Sequence, residues 1–220
     1  MTPTVVKRRD PVNSRQKLIA AAVEVFAAHG PHEATVDEIC RKADLTKRMA
    51  YHYFGSKRGL YAEALAYVYD QFFSVEISLS TMLMPAEELL DQLVHRYYEF
   101  LDANPEFVRL ICYENLNEGR IAETLHLKDK KAPIILALQL ALEKGQQQGR
   151  FRKDIDVTEL LASIFSLCFF YFANRYTMRE LFPDAAPSKS RMPGRVQHVV
   201  GLLLKGIREV DGASGGNQQQ

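Results

Sequence analysis

Thr35-Val36-Asp37-Glu38 carries the Thr-x-x-Glu spacing of a capping box, and shortly after it the chain reads Thr46-Lys47-Arg48-Met49-Ala50-Tyr51-His52-Tyr53. The first pattern starts a helix at Val36, because the threonine hydroxyl and the glutamate carboxylate each satisfy an amide left open at a helix start. That helix runs to about Ala43, and a second short one spans 46–53. Only Asp44 and Leu45 remain for the turn, and Asp tolerates the left-handed conformation better than most residues. Two helices joined so tightly form a helix-turn-helix, whose second helix enters the major groove of DNA. The second segment mixes cations with hydrogen-bonding aromatics, which suits phosphates and base edges better than a core. Lys47, Arg48, Met49 and His52 are placed to reach bases, with Tyr51 on the same helix; Thr35, Thr46, Tyr53 and Lys57 are placed to contact phosphates. Phe54 reads as core.

Charge supports that assignment. Residues 1–59 hold 11 Lys/Arg against 6 Asp/Glu, net +5, and residues 60–220 hold 17 against 21, net −4. A polyanion partner therefore belongs at the N-terminal end. The three cysteines, Cys40, Cys112 and Cys168, are far apart and set in apolar helical contexts, as reduced buried thiols of a cytoplasmic protein would be. Residues 1–13 are polar and basic, unlike a signal peptide, and the uncharged apolar run from Leu160 to Ala173 is too short for about 30 Å of hydrocarbon. The six histidines never occur with a second ligand at metal-binding spacing, and no Gly-rich phosphate loop, Gly-x-Ser-x-Gly elbow or His-Glu-x-x-His run is present. Neither a metal nor a cofactor is expected.

Along the chain, residues 1–12 form a basic arm containing Lys7-Arg8-Arg9, either a solvated tail or a contact to the minor groove or phosphates. A first helix runs from Asn13 to His29 and stops at Gly30-Pro31. Ser56 caps a long helix reaching about Leu79, which links the DNA-binding end to the rest. Further helices are expected over 85–103, from Pro105 to near Gly119, from Pro133 to about Gln148, over 158–182 with two apolar faces, and over 195–210. Residues 120–128 read as a short helix, Lys128-Asp129-Lys130-Lys131 as a solvated charge run, 183–194 as a mobile loop, and 211–220 as a disordered tail.

The residues from Ser14 to Leu65 resemble the tetracycline-repressor (TetR) family of bacterial transcriptional regulators: Phe26-Ala27-Ala28-His29-Gly30, then Ala34-Thr35-Val36 with Ile39 and Ala43, then Tyr51-His52-Tyr53-Phe54 with Ser56-Lys57 and Leu60. Asp44 stands where the family usually has glycine, and Met49 and Ala50 replace a small and an aliphatic residue. The expected fold is all-α, with about nine helices: a helix-turn-helix DNA-binding domain over 13–60 and a helical effector-binding and dimerisation domain over 61–210. The resemblance implies a repressor released from double-stranded operator DNA by a small molecule. Its effector pocket would draw on the aromatic stripe Phe165, Cys168, Phe169, Phe172 and Tyr176 beside Phe100, Phe107, Ile111 and Asn115. Asn115, His126, Asn174 and Arg175 could orient the ligand, and the lining favours an apolar or aromatic effector. The helices over 158–182 and 195–210 would pair with their copies in a homodimer, which demands a near-palindromic operator. Two rivals stand: the same architecture without an effector, and an enzyme with its active site in the C-terminal cavity.

Overall fold

Apolar residues recurring at three- and four-residue spacing wind the chain into ten α-helices and two short 3-10 turns among the residues described, 11–80 and 84–209 of a computed structural model. The basic arm and the C-terminal tail expected at the two ends lie outside the described residues, save for positions 11 and 12 of the arm. Contacts group the helices into two units. The first takes residues up to Gln71 together with Pro105–Leu127; the second takes Phe72–Asn104 and the residues from Lys128 on.

In the first unit, α1 (Pro11–Glu33) buries Leu18, Ala22 and Phe26 completely. It carries a break at Gly30, whose φ of 76° and ψ of 164° leave the helical region before the chain winds on through Pro31. A side chain there would be strained by the positive φ, and its Cβ would lie 3.0 Å from the ring of Tyr113. α2 (Val36–Ala43), α3 (Lys47–Phe54) and the first part of α4 (Lys57–Ser80) follow, and α6 (Pro105–Leu116) packs on α1. The 3-10 turn Ala122–Leu125 closes the unit. α4 is continuous, so one helix supplies its beginning to the first unit and its end to the second.

The second unit places α5 (Ala86–Ala103) against α8 (Val157–Ala173) and α10 (Met192–Ile207). Leu90, Leu93, Val94, Tyr97, Ile164, Cys168 and Val199 are wholly buried there. Three sequence expectations change. The helix expected over 158–182 is two helices, α8 and α9 (Arg175–Leu181), bent by 79°. Asn174 causes the break: its backbone and side-chain N–H groups both bond the Phe170 carbonyl, at 3.0 and 3.3 Å, ending α8. Its own carbonyl accepts from Met178 N at 2.8 Å and starts α9. α7 (Leu127–Gln147) begins six residues before Pro133, so the lysine run lies inside a helix. Pro133 falls in the second turn of α7, where it has no N–H to bond the Asp129 carbonyl. Finally, α10 starts at Met192 with Pro193 in its first turn, taking three residues from the expected loop.

Candidate nucleic-acid interface and aromatic core

The helix-turn-helix is fixed by local bonds. Thr35 Oγ1 accepts from Glu38 N at 3.2 Å, and Thr46 Oγ1 accepts from Met49 N at 3.4 Å, so both threonines cap the helices that follow them. Asp44 sits in the left-handed region at φ 54°, ψ 45°. There its N–H bonds the Arg41 carbonyl at 3.3 Å, while Leu45 N reaches the Cys40 carbonyl at 2.9 Å, satisfying the end of α2. Ile39, Cys40, Ala43 and Ala50 face inward. At the far end of α3, a Cβ on Gly59 would stand 2.2 Å from the Phe54 carbonyl oxygen, so the corner into α4 closes only around glycine. Ser56 Oγ accepts from Gly59 N at 3.0 Å and caps α4, as expected.

This scaffold leaves Thr46, Lys47, Arg48, Tyr51 and His52 exposed, with Met49 and Tyr53 half-buried beside them. Thr35 is exposed as well. Lys47 Nζ pairs with Asp37 Oδ2 at 2.5 Å, with both side chains more than half exposed. Such surface pairs are worth about 0–1 kcal/mol, so the lysine can leave at small cost. Lys57 Nζ donates to the His32 carbonyl at 2.7 Å, tying α4 to the end of α1 and keeping further N–H donors to offer. Phe54 is half-buried, with the Arg15 guanidinium 5.5 Å above its ring. Arg15 also pairs with Glu63 Oε2 at 2.6 Å.

Behind this face lies a carboxylate of α6 that was not among the residues expected from the sequence to carry function. Glu114 is 2% exposed. Its Oε2 accepts from the Tyr61 hydroxyl at 3.1 Å, and its Oε1 accepts from Ile121 N at 2.6 Å and Ala122 N at 3.0 Å. Tyr61 packs edge-on against Phe26, centroids 5.0 Å apart, and burial followed by the Glu114 charge pushes its hydroxyl pKa well up. A cavity of about 420 Å³ opens beside this network, lined by His32, Lys57, Arg58, Tyr61 and Glu114 among others.

The residues expected around an effector fall in both units. Phe107, Ile111 and Asn115 lie in the first, where Phe107 meets Tyr69 edge-on at 5.9 Å and Asn115 Nδ2 bonds the Ile111 carbonyl of its own helix at 2.8 Å. The second unit gathers Phe100 and Phe165 around Phe72 at 5.4 Å each, with Phe169 stacked on Phe165 at 5.2 Å. Cys168 is wholly buried beside them, and burial raises its thiol pKa to about 12. Phe172 turns to Tyr98, at 5.5 Å. Tyr176 stands apart on α9, 56% exposed, with the Arg175 guanidinium 4.9 Å above its ring. Of the other polar candidates, Asn174 makes the helix break and His126 is an exposed residue with φ 50°.

Lys131 departs from the solvated reading of its charge run, in which Lys128 and Asp129 are exposed. Its ammonium lies over the rings of Phe72, Phe73, Tyr97 and Phe165 and pairs at 2.5 Å with Glu76, which is fully buried. The sequence signal was a carboxylate four residues after Phe72, in register with an apolar stripe. All three thiols are free, with Cys40 and Cys168 buried and Cys112 half-buried. Among the described residues no three His, Cys, Asp or Glu side chains group as a metal site, and no single helix is long and apolar enough to cross a membrane.

Comparison with known proteins matches two stretches of the chain. Residues 18–64 match the family described as bacterial regulatory proteins, tetR family, and residues 85–203 match the tetracyclin repressor-like C-terminal domain. The HTH-type transcriptional repressor NicS of Pseudomonas putida is 31% identical over 206 residues, 93% of this chain and 97% of its own. The crystal structure of the transcriptional regulator SCO4942 from Streptomyces coelicolor superposes with TM-score 0.66 at 25% identity, covering 88% of this chain and 98% of its own. FadR from Bacillus subtilis, crystallised with stearoyl-CoA, shares the fold at TM-score 0.67 and 21% identity, covering 87% of this chain and 98% of its own.

Proposed function

The chain belongs to the TetR family of helix-turn-helix transcriptional regulators, and on that premise we propose that it is a repressor that holds a near-palindromic operator as a homodimer and leaves it when a small molecule binds. One observation carries the DNA side: the capped α3 buries Ala50 and turns Lys47, Arg48, Tyr51 and His52 outward. Arg48 and His52 read base edges, with Met49 and Lys47 beside them. Thr35, Thr46, Tyr53 and Lys57 set the register through phosphates. NicS, matched over nearly the whole chain, is named a repressor, which supports repression.

The homodimer uses α8 and α10. Phe170 and Leu202 stand 53% and 50% exposed on these helices, apolar surface that a partner copy would cover. Two-fold symmetry would then place the two α3 helices one DNA turn, about 34–36 Å, or a multiple apart. The effector site draws on the aromatic rings of Phe100, Phe165 and Phe169, with the Cys168 thiol. That a protein of this fold was crystallised with stearoyl-CoA supports a helical domain able to take an effector. α4 runs unbroken from the helix-turn-helix to Phe72 and Phe73, so displacement at its far end can tilt its beginning. Effector and operator should oppose each other, with a reciprocal coupling of about 1–3 kcal/mol.

The test is anisotropy titration of duplexes from the flanking intergenic DNA at several salt concentrations. Each phosphate contact adds about −0.9 to the log–log slope. Lys57→Ala should weaken all duplexes about equally and flatten the slope by about one unit, whereas Arg48→Ala should lose preference among duplexes. Binding without sequence preference, or an Arg48→Ala protein with its preference intact, would overturn the assignment.

A further inference from the structure

The Glu76 carboxylate carries an imbalance that packing does not explain. It is wholly buried, and both of its donors use the same oxygen: Oε1 accepts from the Tyr97 hydroxyl and from Lys131 Nζ. Oε2 is buried with no donor among the described residues. Buried carboxylate oxygens are costly to leave in that state, and a natural core that keeps one calls for a reason. The second half of the arrangement is the cation. The Lys131 ammonium lies 5.2 Å from the Phe72 ring centroid, 5.5 Å from Phe73, 5.9 Å from Tyr97 and 5.7 Å from Phe165. Four ring faces and a carboxylate around one ammonium make an aromatic cage of the kind that recognises organic cations. Its present occupant is tethered but not locked in: the Lys131 side chain is 28% exposed, against 1% for Glu76. The long flexible stem can therefore carry the charged head out to water.

We propose that Lys131 is a built-in stand-in for the effector, and that the effector is an organic ammonium bearing N–H groups on an apolar or aromatic body. On binding, the ligand's nitrogen replaces Nζ among the four rings and donates to both oxygens of Glu76, including the Oε2 that lacks a donor, while Lys131 moves into solvent. An N–H ammonium is favoured over a quaternary one because only the former supplies that second donor. The cage joins α4 (Phe72, Phe73, Glu76), α5 (Tyr97), α7 (Lys131) and α8 (Phe165), so the exchange changes what holds the end of α4. This rests on the proposed release of the operator by a small molecule and names the chemical class of that molecule.

Benzylamine, benzyltrimethylammonium and benzoate, titrated calorimetrically into the full chain, separate the possibilities. Benzylamine, protonated at neutral pH, should bind most tightly and benzoate least. Lys131→Met removes the competing ammonium and should tighten benzylamine by roughly tenfold or more, the scale of a desolvated cation–π contact. Lys131→Arg should restore weak binding, and Glu76→Gln should abolish the preference for N–H cations. Benzoate binding that disappears in Lys131→Met would overturn the inference by making the lysine an anion receptor. Failure of the Lys131→Met protein to bind benzylamine would overturn it equally. Operator binding followed in parallel keeps the two claims apart: an operator held in the absence of ligand and indifferent to every amine refutes the ammonium effector alone, whereas no operator binding at all refutes the regulatory reading beneath it.

Discussion

Replacing Glu114 with leucine asks how much of the first unit depends on one buried carboxylate. The change keeps the side chain's approximate size and removes every acceptor. Three donors are stranded: the Tyr61 hydroxyl at 3.1 Å, Ile121 N at 2.6 Å and Ala122 N at 3.0 Å. Tyr61 and Ile121 are buried, at 5% and 8% exposure, whereas Ala122 is half-exposed and can turn to water. Two buried donors left unsatisfied cost about 1–3 kcal/mol each. Removing a buried charge returns part of that, since apolar replacements of buried ionic groups can be neutral or stabilising. A net loss of about 2–4 kcal/mol remains, because here the donors stay behind when the acceptor goes. In a chain of this size each kcal/mol moves the melting point by about 2–4 °C, so Glu114→Leu should melt roughly 5–15 °C lower by calorimetry at neutral pH. Glu114→Gln should lose much less, because its carbonyl still accepts from the two amides and its NH₂ can donate to the Tyr61 oxygen. A leucine variant melting within a degree of the parent would show that the three bonds contribute nothing and refute the reasoning.

Other consequences are as direct. Asp44→Gly relieves a non-glycine residue at φ 54° and should raise the melting point by about 1–3 °C, the left-handed penalty less the entropy of an added glycine; a fall would mean that Asp44 makes a contact worth more than its strain. Leu202→Glu should leave a folded monomer in sedimentation at micromolar concentration, whereas Leu203→Glu, at a position 7% exposed, should damage the protomer itself; a Leu202→Glu dimer would move the interface elsewhere. Burial, followed by the Glu114 charge, raises the Tyr69 pKa to about 12, and burial, partly offset by the Arg195 hydrogen bond, raises that of Tyr98 to about 12. The native state then holds protons that the unfolded chain releases near pH 10, so this stability is fully present below pH 10 and is lost as pH rises towards about 12. The loss should be about 2–3 kcal/mol per tyrosine in denaturant titrations. Tyr98→Phe should flatten that alkaline decline, and an unchanged pH profile would contradict it.

The parts of the fold that could be read from sequence are those held by neighbours in the chain. Thr35, Asp44, Thr46 and Ser56 act within three or four residues of themselves, so the caps and the turn of the helix-turn-helix emerge from spacing alone. The break at Asn174 was hidden by the apolar residues on both sides of it, although an amide side chain able to bond its own helix was the available sign. The packing of Lys131 against the rings could not be read locally, because its partner Glu76 is 55 residues away and the charges around it mimic a solvated run. Nor does periodicity say which neighbours a helix chooses: α6 packs on α1, and Phe107 and Ile111 go with it into the first unit. The residues proposed to contact DNA were legible as residue types on a capped helix. The cage was not, because four aromatic rings from three helices and a lysine from a fourth meet only in the folded chain.

The central claim is that the exposed face of α3 reads a DNA sequence. Selection of bound duplexes from a random library by the purified full chain, run beside Arg48→Ala and His52→Ala, tests it most directly. A near-palindromic motif should emerge for the parent chain, with half-sites one helical turn or a multiple apart, and specific positions in each half-site should become degenerate in the variants. A library that emerges unenriched, or a motif identical in all three proteins, would contradict the account.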